Sequence, residues 1–114
     1  MLRKNDFLKH LILLRNDPEL AAHVLHEARS GNVDAQYAMG MIFAEGRGVP
    51  LDLVKAFAWL TVAVLQGDRD AVTLRNIVGA QMSDEEFEAG KRCAADYEAS
   101  LRQLPATKPP RGWN

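Results

Sequence analysis

The stretch Glu45-Gly46-Arg47-Gly48-Val49-Pro50-Leu51-Asp52 lies between two segments whose apolar residues recur at helical spacing. Two glycines two residues apart, then Val-Pro, then an acid, spell a reversal of direction. Gly46 ends the preceding helix where a left-handed backbone suits glycine, and Gly48 permits a second sharp change of course. Val49 can tuck back under the pair of helices, Pro50 breaks helical continuity, and Asp52 caps the next helix. A phosphate-binding loop would need a strand in front and Lys-Ser or Lys-Thr after its last glycine, and this stretch has neither.

Outward from this loop, helices are expected over Asp34 to Glu45 on one side and Asp52 to Leu65 on the other. Upstream, Phe7, Leu8, Leu11, Ile12 and Leu14 mark a first short helix, ended by Asn16-Asp17-Pro18. That same Asp17-Pro18-Glu19 opens a second helix, which runs to about Ser30 and stops at Gly31-Asn32. Downstream, a fifth helix spans about Arg69 to Gly79 and carries Ala71, Leu74, Ile77 and Val78. Ser83-Asp84-Glu85-Glu86 is a capping box that opens a last helix reaching about Leu104. The acids Asp84, Glu85, Glu86 and Glu88 sit at the positive end of that helix dipole. Period-two alternation is absent, so the chain reads as all-α, about six helices in three antiparallel hairpins. Residues 1–104 form one helical domain, and Pro105, Pro109, Pro110 and Gly112 make 105–114 a flexible tail. Lys108, Arg111 and Trp113 in that tail are a candidate peptide ligand.

The chain also repeats itself. Ala28-Arg29-Ser30-Gly31-Asn32-Val33-Asp34-Ala35 resembles Ala63-Val64-Leu65-Gln66-Gly67-Asp68-Arg69-Asp70-Ala71; aligned on Gly31 and Gly67 the offset is 36 residues (67 − 31), with Ala28 falling within one residue of Ala63 and Ala35 falling on Ala71. Such a period suits stacked helical hairpins. The central unit, Asp34 to Asp68, closely resembles the Sel-one-like repeat, a relative of the tetratricopeptide repeat. The residues that carry the likeness are Ala35-Gln36-Tyr37, Met39-Gly40, Phe43, Gly46-Arg47-Gly48-Val49-Pro50, Asp52, Lys55-Ala56, Trp59, Ala63 and Gly67. The fifth and sixth helices look like a degenerate closing hairpin. The resemblance implies an α-α superhelix, a solenoid of three hairpins, acting as a scaffold. Within the central hairpin, Gly40 and Ala56 let the helices approach while Met39, Phe43, Trp59 and Ala63 fill the space around them, so a bulky residue at position 40 would wedge the pair apart.

Chemistry is sparse. A net charge of -1 gives no chain-wide attraction for nucleic acid or an anionic membrane. Cys93, the one cysteine, excludes an intramolecular disulfide and reads as a small core residue. His23 and His26 share one helical face and, with His10, form a remote metal candidate, but their order is not that of a zinc protease. No catalytic constellation or dinucleotide fingerprint appears, so no enzymatic activity, cofactor or metal is expected. The basic, leucine-rich start lacks a sufficient apolar run and a cleavage site, and no segment approaches a membrane span, so a cytoplasmic protein is expected.

What remains is surface. The first helix of each stacked pair lines the inner side, which puts Gln36, Tyr37, Met41 and Glu45 of the third helix beside Val72, Arg75 and Asn76 of the fifth as the expected protein-binding face. The expected partner is a protein or peptide. Self-association into a homodimer through uncovered hairpin ends is the alternative.

Overall fold

A computed structural model describes residues 17–104, which form five helices and no strand: α1 Pro18–Arg29, α2 Val33–Glu45, α3 Leu53–Leu65, α4 Arg69–Ala80 and α5 Asp84–Arg102. The first expected helix, Phe7 to Leu14, and the tail 105–114 lie outside the described residues.

Each helix starts on a cap that the chemistry of its residue explains. Asp17 accepts from the Leu20 amide and Asp52 from that of Lys55, both at 3.0 Å. Ser83 and Glu86 satisfy each other's amides at 3.1 and 2.9 Å. The cap of α2 is Asn32, which accepts from the Ala35 amide at 3.1 Å, so that helix begins slightly ahead of Asp34. The 36-residue repeat is visible in the backbone. After α1, the Asn32 amide donates to Glu27 O; after α3, the Asp68 amide donates to Ala63 O, and in both turns a glycine precedes the new cap.

The opening loop closes as its residues dictate. Ile42 O accepts from both the Gly46 and Arg47 amides, and the Asp52 amide returns to Phe43 O at 2.9 Å. Gly48, at φ +77°, does more than turn the chain. A β-carbon there would lie 2.6 Å from Asp17 O and 3.2 Å from the Ala21 β-carbon, so the loop is pressed against the start of α1. Val49 packs against the core from the same loop.

The middle helix, α3, is the hub. Ala56, Phe57, Ala58, Trp59, Leu60, Val62 and Ala63 are all buried on it, against α2, α4 and α5. α2 approaches closely at Gly40, where a β-carbon would stand 2.4 Å from the Leu60 side chain. α5 approaches from another side at Gly90, whose absent β-carbon leaves room for the Phe57 ring. Phe57 in turn meets Phe87 with ring centroids 5.0 Å apart. Burial of side chains such as Leu60 and Trp59 contributes about 1.5 to 3 kcal/mol each, which is why the hub dominates.

Three features correct the sequence-based expectations. The last two helices do not make a tight hairpin: α5 packs along α3, reaches α1, and meets α4 mainly where Phe87 nears Gly79. Two aromatic contacts drive this, Phe57 with Phe87 and Trp59 with Tyr97, and both lie on the α3 side. Ile77, one of the apolar residues by which the sequence marks α4, is 52% exposed, because α4 presents only Ala71 and Val78 as fully buried anchors. Gln36, expected on the binding surface, has no solvent exposure at all. Its Nε2 donates to Ala28 O at 3.1 Å and its Oε1 accepts from Gln66 Nε2 at 2.6 Å. A buried amide is stable when both of its ends are paired in this way. Gln36 thereby ties the end of α1, the first turns of α2 and the end of α3.

Candidate functional site

Few contacts join α2 to α4, since both pack chiefly on α3, and the space left between them is an open groove of about 320 Å³. Tyr37 of α2 forms one wall; Asp70, Thr73, Leu74 and Ile77 of α4 form the other. Tyr37 is half-buried, with its ring on the core, and Leu74 likewise. Ile77 stands largely in solvent, so the groove offers apolar area that the fold itself does not cover. At the Asp70 end the surface continues past Asp68, Arg69 and Asp34 toward Gln66 and Val33. Asp68 caps α4, and Asp70 and Asp34 occupy the first turns of α4 and α2, so the acids at this end are already suited to the helix dipoles.

Of the residues expected on this face, Tyr37 lines the groove. Met41, one turn on, is half-buried against the core, and Glu45 is exposed and ion-paired with Arg47. Val72, Arg75 and Asn76 do not line the groove; they occupy other positions around α4, with Val72 and Asn76 exposed. Sequence reading missed Asp70, Thr73, Leu74 and Ile77 as groove residues. Once Ala71 and Val78 are known as the buried pair, i, i+4 pairs on the neighbouring face are the remaining solution, but the sequence marks Ile77 only as an apolar residue of the helix. The repeat positions Ala35, Met39, Phe43, Ala56, Trp59 and Ala63 are all buried.

His23 and His26 are both exposed on α1, and His10 lies outside the described residues. Among the described residues no three His, Cys, Asp or Glu side chains come together as a metal-holding group.

On a different side of α3 lies a second groove, about 330 Å³, bounded by Arg29, Trp59, Tyr97, Ser100, Leu101 and Leu104. The Trp59 and Tyr97 rings stack with centroids 4.3 Å apart and 23° between planes. Burial pushes the Tyr97 hydroxyl well above its ordinary pKa, and a hydrogen bond with Cys93 pushes it the same way. No helix among the described residues is long and apolar enough to cross a membrane.

No protein-family model matches the chain. Over 69 residues it is 33% identical to the alginate biosynthesis protein AlgK of Azotobacter vinelandii, a match that takes in 60% of this chain and 15% of that protein. The similarity is weak and the chain spans a small part of that relative's length; together with the all-helical fold it suggests helical-repeat character.

Proposed function

We propose that the chain is a short α-solenoid of the Sel-one-like kind, a non-enzymatic adaptor that holds a protein or peptide segment in the groove between α2 and α4. The observation that carries this reading is the uncovered apolar wall of Ile77 and Leu74 facing half-buried Tyr37. Aromatic and aliphatic side chains in a groove walled by two helices are what an interface core is made of, with Asp70 and Thr73 supplying a polar rim. In a solenoid the first helix of each pair faces inward, and this reading gives that role to α2 and α4, although α4 and α5 do not close as a tight hairpin. The outer side of α5, with Glu85, Glu88, Lys91, Arg92, Asp96 and Arg102 exposed, has the polar character of a capping helix.

The test is affinity capture with the wild type beside a Tyr37→Ala/Ile77→Ala double variant. A partner retained by the former and lost by the latter, with helicity unchanged by circular dichroism, supports the reading. Equal capture by both overturns the placement of the site. A second reading, self-association, is favoured by the exposure of Val72 and Ile77 on one helix. Sedimentation at micromolar concentration decides it, and a strict monomer removes it.

A further inference from the structure

The groove beside Trp59 and Tyr97 belongs to a different face from the α2/α4 site, and its polar chemistry is one-sided. Trp59 is 2% exposed, and its Nε1 hydrogen has no acceptor among the described residues. An indole N-H buried without a partner is costly, and most buried indoles find one. Arg29, exposed on the last turn of α1, makes no ion pair among the described residues. Ser100 adds a hydroxyl that can donate, and no carboxylate is among the residues lining the groove. The walls are apolar: the Tyr97 ring, stacked on Trp59, then Leu101 and Leu104.

We propose that this groove is a binding site for a small organic acid, a carboxylate carried on an aromatic or branched aliphatic body. The carboxylate pairs with the Arg29 guanidinium and the Ser100 hydroxyl and accepts the Trp59 indole hydrogen, while the body lies against Leu101, Leu104 and the Tyr97 ring. Charge, donors and size converge on this class. A guanidinium meets a carboxylate as a fork, and such charge-assisted bonds are stronger than neutral ones. Helix C-termini oppose anions, and the groove lies beside the ends of α1 and α5. That opposition comes from carbonyls without donors, and here they are supplied. Glu27 O accepts from the Ser30 and Asn32 amides, Ala28 O from the Gly31 amide and the Gln36 side chain, and Ser100 O and Leu101 O from the Gln103 and Leu104 amides. Asp52, felt at the Tyr97 hydroxyl more weakly than Arg29, has its carboxylate engaged by the Lys55 amide. A volume of about 330 Å³ stands at the lower end of small-molecule sites, which run from about 300 to 1,000 Å³, and suits one ring with a short acid chain. Val62, Leu65 and Gly31 border a further groove on the other flank of Leu101 and Leu104, but its charged residues, Glu98 and Arg102, pair with each other and leave no net charge for a ligand.

The test uses the full chain, labelled with nitrogen-15, and follows the Trp59 indole N-H by NMR during titration with 4-phenylbutyrate and, separately, with its uncharged amide. The chain has two tryptophans, and Trp113→Phe assigns the signals. Expected is a saturable shift of the Trp59 cross-peak with 4-phenylbutyrate, at an affinity about tenfold above that of the amide. Arg29→Gln, at an exposed position, should weaken 4-phenylbutyrate about tenfold and leave the amide unchanged, with the helical signal by circular dichroism unaltered. A Trp59 cross-peak that stays in place at millimolar 4-phenylbutyrate overturns the proposal. Equal affinity for the acid and its amide overturns it as well, since the groove would then read only the apolar body.

Discussion

Gln36 shows how much a single side chain can decide. Its amide is read by two partners of opposite sense, a carbonyl that needs a donor and a Gln66 amide that needs an acceptor. Gln36→Glu keeps the shape but aims a carboxylate at the Ala28 carbonyl inside the core. The expected cost is about 3 to 5 kcal/mol at neutral pH, measured by urea unfolding. The introduced carboxyl has a folded-state pKa above its unfolded value, so the lost stability should return as pH falls below about 4. Tyr97 gives the opposite end of the pH scale. Its folded-state pKa is raised, chiefly by burial, so the unfolded chain releases this proton first as pH rises. The contribution to stability is therefore complete below about pH 10 and declines above it, and Tyr97→Phe should flatten that alkaline slope in urea titrations carried out across the range.

At the scale of the helix, α3 and α4 stand at opposite ends of the burial range. α3, like α2, buries seven residues, and α4, like α5, buries two; α3 is also the helix on which α2, α4 and α5 all pack. Native-state hydrogen exchange should therefore find the amides of α3 slowest and those of α4 among the fastest of the five helices, opening well below the global unfolding free energy. Exchange rates in α4 equal to those in α3 would contradict this. The elements themselves were legible from local chemistry: Asp17, Asp52 and Ser83 cap where their types and spacing say, and the Gly46 to Asp52 reversal is written in consecutive residues. Their arrangement was legible only where neighbours in sequence are neighbours in space. The path of α5 depends on Tyr97 finding Trp59 and Phe87 finding Phe57 across long separations, and no periodicity encodes such a choice. The same limit hid half of the groove. Polar Gln36 looked like surface because its partners sit on other helices, and the exposure of apolar Ile77 was not legible because it follows from the few contacts between α2 and α4.

Taken as a molecule, the fold is one continuous core from Ala21 to Ala71 and Val78, with Met82 and Tyr97 packed against it, yet two of its faces are left with grooves. A domain of this size stays marginal unless every connection holds its helices in register. The connections are unequal in this respect. At Gly67 an added β-carbon would meet nothing within 4 Å, whereas the Gly48 segment is in contact with the Asp17 backbone. Inserting a short flexible peptide after Gly67 should lower the melting temperature by only a few degrees, the change expected for about 1 kcal/mol, while the same insertion after Gly48 should lower it several times as far. Thermal melts of the two variants side by side check this. The crowding at Gly48 thus makes the connector a spacer of fixed gauge: anyone lengthening, tagging or splicing this protein has a permissive port at one bend and a sealed joint at the other.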